Sequence, residues 1–103
     1  MQLTGKQKRF LRANANQLRP IFSVGKNGLN DVWLKEVAQA VDKRELVKVS
    51  IQQSADVAPA DVKAFIEANS DIQVVQTIGK TVLLFHESSQ PNRRDISHGV
   101  YQL

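Results

Sequence analysis

Apolar residues recur along the chain with two different periods, and proline, glycine or asparagine stands where the period changes. Leu3, Phe10, Leu11, Ala15 and Leu18 share one side of a helical projection, and Lys6, Lys8, Arg9 and Arg12 follow one another round the other side. This predicts an amphipathic helix over 4–18 with a basic outer face. Pro20 disfavours helical geometry at Arg19, and Ile21-Phe22-Ser23-Val24 then reads as a short buried strand broken by Gly25. Asn30 is placed to cap a helix over 31–44 whose stripe is Trp33, Leu34, Val37, Ala38 and Val41. Asp31 at its start and Lys43-Arg44 at its end suit the macrodipole.

Val47, Val49 and Ile51 alternate with Lys48 and Ser50, the period of a strand with one wet face. Pro59 fits the first turn of a third helix running to about Asn69, which buries Val62, Phe65 and Ile66. The β-rich runs 72–78 and 81–86 are separated by Gly79-Lys80, which predicts a hairpin with glycine opening a type II′ turn. Its second strand is apolar almost throughout and reads as central. The order α-β-α-β-α-β-β predicts an α/β domain of the two-layer α+β kind with a four-stranded mixed sheet. Right-handed crossovers put two helices on one face, and the first helix is seated by its own apolar stripe. From Glu87 onward no periodicity is visible, so 87–103 reads as an extended or mobile tail after a domain of residues 1–86.

Composition adds bounds. The 103 residues fit one domain, expected to act as a monomer, and a 42% apolar, 23% charged make-up is ordinary for a globular protein and argues against a disordered, fibrous or membrane one. With no cysteine there is no disulfide, thiolate nucleophile or sulfur-based zinc site, which suits a cytoplasmic location. No run is apolar enough for a signal peptide or a membrane span, so no membrane partner is expected. The net charge of +4 is unevenly spread: residues 1–26 carry Lys6, Lys8, Arg9, Arg12, Arg19 and Lys26 and no acidic residue, while the remainder holds eight basic and ten acidic side chains. The positive field is therefore concentrated at one end of the chain.

Between the first strand and the second helix lies Gly25-Lys26-Asn27-Gly28. Glycine at both ends permits positive φ and close approach by another backbone, and the helix N-terminus that follows favours an anion at the free amides. Lys26 adds a mobile charge. A KH-type GxxG loop clamps a single-stranded RNA backbone by this mechanism, whereas a plain β-α turn would use the same glycines for geometry alone. The basic helix just upstream favours nucleic acid over a merely solvated or membrane-surface face. Lys80 reads equally as a solvated turn residue or a phosphate contact, and Lys48 as a solvated strand lysine. Trp33 and Phe22 sit in apolar patterns and are expected in the core. His86 and His98 lack partners at ligand or triad spacing and read as solvated, and the P-loop spacing is missing, so no enzyme, metal site or cofactor is expected. A duplex-DNA binder, or a protein-interaction module with an anion-binding loop, stays open on these residues alone.

Four blocks in order sharpen this reading: Leu3-Thr4-Gly5-Lys6-Gln7, Val24-Gly25-Lys26-Asn27-Gly28-Leu29, Glu45-Leu46-Val47-Lys48-Val49 and Ile78-Gly79-Lys80-Thr81-Val82-Leu83. Over about residues 2–86 the chain resembles the stand-alone bacterial, YhbY-type form of the CRM domain. The resemblance implies a fold like the C-terminal domain of bacterial translation initiation factor three, with strand order 1-2-4-3 and an antiparallel last strand. It further implies association with precursors of the large ribosomal subunit and a part in ribosome assembly. Ribosomal RNA would then be held by Gly25, Lys26, Asn27 and Gly28, with Lys6, Lys8, Arg9, Arg12, Arg19 and Lys80 as the surrounding basic surface. The chain departs from the resemblance at Asn30, where threonine is common, and in the tail from Glu87.

Overall fold

In a computed structural model, which describes residues 2–103, the chain forms α1 (Gly5–Ala15), β1 (Pro20–Val24), α2 (Asp31–Arg44), β2 (Leu46–Ile51), α3 (Pro59–Asn69), β3 (Gln73–Ile78), β4 (Thr81–Phe85) and α4 (Asp95–Tyr101). The strands make one sheet in the order β1-β2-β4-β3. β1 runs parallel to β2, and β4 is antiparallel to both β2 and β3, as the resemblance implied. β4 is central and buried on both faces: Val82 and Leu84 point to one layer, Leu83 and Phe85 to the other.

The expected pairing of two helices on one face holds. α2 and α3 bring Trp33, Val37, Val41, Val62 and Ile66 against Val47, Val49, Val82 and Leu84. The opposite face adds a third layer, where α1 and α4 cover Leu46, Val75, Leu83 and Phe85 with Leu3, Leu11, Ala15 and Val100. Local chemistry sets the helix starts. Thr4 and Gln7 form a reciprocal capping box at α1, with Gln7 N donating to Thr4 Oγ1 at 3.1 Å and Thr4 N to Gln7 Oε1 at 2.9 Å. Asn30 caps α2 by accepting from Trp33 N at 2.9 Å, an interaction whose loss costs about 1 kcal/mol. In the β3–β4 hairpin the backbone is left-handed at Gly79 (φ 55) and not at Lys80, as a type II′ turn requires.

The segment after Glu87 departs from the expected extended or mobile tail. Pro91–Arg93 forms a 3-10 turn and α4 follows it, with Ser88, Ser97 and Val100 buried. Its seat is built from α1 and from the end of α2. Gly99 lies so close to α1 that a Cβ there would stand 2.5 Å from Phe10 Cζ, and Gln7 Nε2 donates to the Val100 carbonyl at 3.3 Å. Glu45, fully buried and left-handed (φ 65), accepts from Ser88 N at 2.7 Å, Ser97 N at 2.9 Å and Ser97 Oγ at 2.6 Å. Asp42 accepts from Ser89 N and Ser89 Oγ at 2.7 and 2.8 Å, which holds its carboxyl below the ordinary aspartate value. The tail lacks periodicity because small polar side chains and backbone amides, with only Val100 and Ile96 as apolar anchors, do the packing.

Candidate nucleic-acid interface

The Gly25–Gly28 loop is held from both of its stems. Trp33 Nε1 donates to the Ser23 carbonyl at 3.0 Å, tying the first turn of α2 to the end of β1, and Trp33 itself lies in the core, edge-on to Phe65. On the other side Gln52 N donates to the Val24 carbonyl at 2.9 Å and Gln52 Nε2 to Ser23 Oγ at 2.9 Å. The loop itself is a β-turn closed by Gly28 N donating to the Gly25 carbonyl at 3.0 Å.

That closure narrows the expected array of outward amides, because the Gly28 amide is used within the turn. The amides of Lys26 and Asn27 donate to no protein group among the described residues, and both residues are exposed. The two glycines also serve different needs. Gly28 is left-handed (φ 70), whereas Gly25 is not; a Cβ at Gly25 would meet Gln52 Oε1 at 3.1 Å.

Strand order decides which cations join the loop. β1 and β2 are parallel and adjacent, so their C-terminal ends lie together, and the hairpin turn that opens β4 lies beside them: Ile51 N donates to the Lys80 carbonyl at 2.7 Å. Lys80 therefore shares one end of the sheet with Lys26 and Asn27. The C-terminal part of α1 overlies the same end on the third-layer face, where Arg12 and Asn16 line a cleft with Lys48, Ile78 and Thr81. Lys8 stands one turn before Arg12 on the same half-buried flank, while Lys6 and Arg9 are exposed further round the helix. Arg19 lies apart, beside Arg44 and Leu46 near the start of β2.

Lys48 differs from its expected state. It is half-buried, and its Nζ donates to the Leu18 carbonyl at 3.1 Å, so it is part of the α1 seat. His86 is also half-buried, with Nδ1 2.7 Å from the Glu87 carbonyl, while His98 is exposed. Among the described residues the single ion pair is Arg94 with Glu87, at 4.0 Å, so every lysine and arginine at the loop end is free of a carboxylate partner. The acidic side chains Asp31 and Asp56 near this end are exposed and unpaired. Another cleft, of about 600 Å³ and bounded by Glu67, Asp71 and Glu87, opens at the far end of the sheet, beside Gln73 and Phe85.

The domain thus joins a 1-2-4-3 mixed sheet to a glycine-bounded turn at a helix N-terminus, with cations around it that have no carboxylate partner among the described residues. The CRS1 / YhbY (CRM) domain family matches residues 3–86, and the chain belongs to that family. It is 50% identical over 88 residues to the probable RNA-binding protein YqeI of Bacillus subtilis, covering 85% of this chain and 92% of that protein. It is 33% identical over 89 residues to an RNA-binding protein of Haemophilus influenzae, covering 85% and 89% respectively. The solution structure of the hypothetical protein SAV1595 from Staphylococcus aureus superposes with a TM-score of 0.71 at 33% identity, covering 87% of this chain and 94% of that one.

Proposed function

We propose that this protein is a non-enzymatic RNA-binding protein that grips the backbone of ribosomal RNA in precursors of the large subunit and aids their assembly. The observation that carries this reading is the shared sheet end: the free amides of Lys26 and Asn27, the N-terminus of α2, Lys80 and Arg12 gather there without a paired carboxylate. An anion at that place accepts hydrogen bonds from amides already fixed by the Ser23, Val24 and Gln52 contacts, so little ordering remains to be done on binding. Lys8, Arg9 and Lys6 extend the field back along α1 over about 9 Å, at 1.5 Å per residue. The names of the relatives support RNA as the partner.

The test is the double variant Gly25→Asp, Gly28→Asp. Gln52, whose exposed side chain a new Cβ at position 25 would meet, can swing aside, and aspartate tolerates left-handed φ better than most residues, so the fold should survive. Affinity for structured ribosomal RNA, measured by gel shift at two salt concentrations beside single-stranded RNA and duplex DNA, should fall by more than tenfold. An unchanged dissociation constant in the folded variant refutes the clamp. Tighter binding to duplex DNA than to RNA refutes the choice of partner.

A further inference from the structure

The cleft between α1 and the sheet, of about 260 Å³, is built differently from the loop. Two of its walls carry cations: Arg12 from α1, and Lys48 from β2, whose ammonium is fixed by the Leu18 carbonyl and still has hydrogens to donate. No acidic residue lines it. Its apolar surface comes from Ala15, Leu83 and Ile78, the last 63% exposed although it is a large aliphatic side chain on an edge strand. Three further polar groups border that surface: the amides of Asn16 and Gln76 and the Thr81 hydroxyl. Among the described residues, of the polar side chains here only Lys48 bonds another protein group, which leaves the two amides and the hydroxyl to bond a ligand.

A backbone irregularity sets this arrangement. Val74 pairs with Leu84 but Gln76 pairs with Leu83, so Val75 is an extra residue, a β-bulge in β3. In a regular strand Val75 and Thr77 would face α1 while Gln76 and Ile78 faced the α3 side. The bulge keeps Val75 in the α1-side core and brings Gln76 and Ile78 onto that face as well, where both line the cleft.

Cations beside an aliphatic floor edged with free amides match the two halves of a nucleotide. We propose that this cleft holds one ribonucleotide of the bound RNA, its phosphate against Arg12 and Lys48 and its base over Ile78 and Leu83, with its edge bonded by Gln76 and Asn16. The site deepens the RNA-binding reading above and rests on it: the loop grips backbone without regard to base, and the cleft supplies base contact one element away. An amide side chain offers a donor and an acceptor side by side, the pattern that pairs with a base edge and that a phosphate, which only accepts, cannot fully use.

The experiment is an NMR titration of the full chain, isotopically labelled, with each of the four nucleoside 5′-monophosphates, and with ribose 5-phosphate and inorganic phosphate as controls. Taking a dissociation constant of about 1 mM for a lone nucleotide, about 10 mM ligand saturates the cleft. The side-chain amide signals of Asn16 and Gln76 should move with nucleotides and stay in place with ribose 5-phosphate. Gln76→Ala should weaken the nucleotide response about fivefold, the loss expected for one hydrogen bond, and Asn16→Ala serves as the second variant should β3 be disturbed. Equal shifts with ribose 5-phosphate, shifts confined to the Lys26 and Asn27 amides, or silence at about 10 mM would each overturn the proposal. The loop and the cleft fail separately: a Gly25→Asp, Gly28→Asp protein should lose oligomer binding and keep the nucleotide response. Intact oligomer binding with a silent cleft overturns the nucleotide site alone.

Discussion

Glu45→Ala tests how the last seventeen residues are held. The wild-type carboxylate is completely buried, has no cation paired with it among the described residues, and accepts three hydrogen bonds, two of them from the backbone amides of Ser88 and Ser97. Alanine leaves both amides in a dry site, and an orphaned buried donor costs about 1–3 kcal/mol. Part of that loss is offset because the unfavourable transfer of a carboxylate out of water is no longer required. The left-handed backbone at position 45 is equally strained for alanine and does not enter the difference. The balance is a destabilisation of about 2–4 kcal/mol, which with a urea slope of about 2 kcal/mol/M moves the unfolding midpoint down by roughly 1–2 M. Hydrogen exchange should accelerate first at Ser88 and Ser97, ahead of Val49 or Leu84 in the sheet. Glu45→Gly relieves the backbone strain and should be about 1 kcal/mol milder. A midpoint within about 0.3 M of wild type, or unchanged exchange at those two serines, refutes the carboxylate as the anchor of this segment.

Three further outcomes can be checked. The Asp42 carboxyl lies below its ordinary 3.8, chiefly through the Ser89 amide, so its contribution to stability is fully present above that value and is lost as pH falls through the depressed one; Asp42→Asn should flatten the acid side of the stability profile, read by urea titration at several pH values. Lys80→Ala should lower the slope of log K against log salt by about one unit, whereas Arg19→Ala, on the remote side beside Arg44, should leave it unchanged in the same gel-shift series. Alanine at two glycines should act with opposite signs in thermal melts: Gly5 has open space around it and should gain about 0.4–1 kcal/mol, while Gly99 forces Phe10 aside, an overpacking cost of about 1–3 kcal/mol that exceeds the helix-propensity gain of about 1.

The elements governed by local chemistry were legible in the sequence. Asn30 needed only its side-chain oxygen Oδ1 and the amide three residues on to start α2, and Gly79-Lys80 needed only the handedness of a two-residue turn. The loop was legible for the same reason, although its two glycines could not be told apart: the demand on Gly25 comes from Gln52, on a different strand connection. What escaped depends on residues distant in the chain. Glu45 looks like an ordinary charge after a helix, and its partners stand 43 and 52 positions away. Lys48 alternates with valines as a wet strand residue does, yet the face it occupies is roofed by α1. The bulge at Val75 has no signature, since Gln-Val-Val-Gln-Thr-Ile alternates equally well in either register.

The scarcity of ion pairs separates what holds the protein together from what it would hold. Concentrated electrolyte has almost no internal attraction to screen here, since the interior is sealed by aliphatic contact and by bonds to neutral or fully enclosed groups. The same electrolyte competes directly for the unclaimed cations that an RNA strand would need. A brine wash should therefore strip nucleic acid and return an intact protein, so loading and unloading can be repeated on a single sample without refolding.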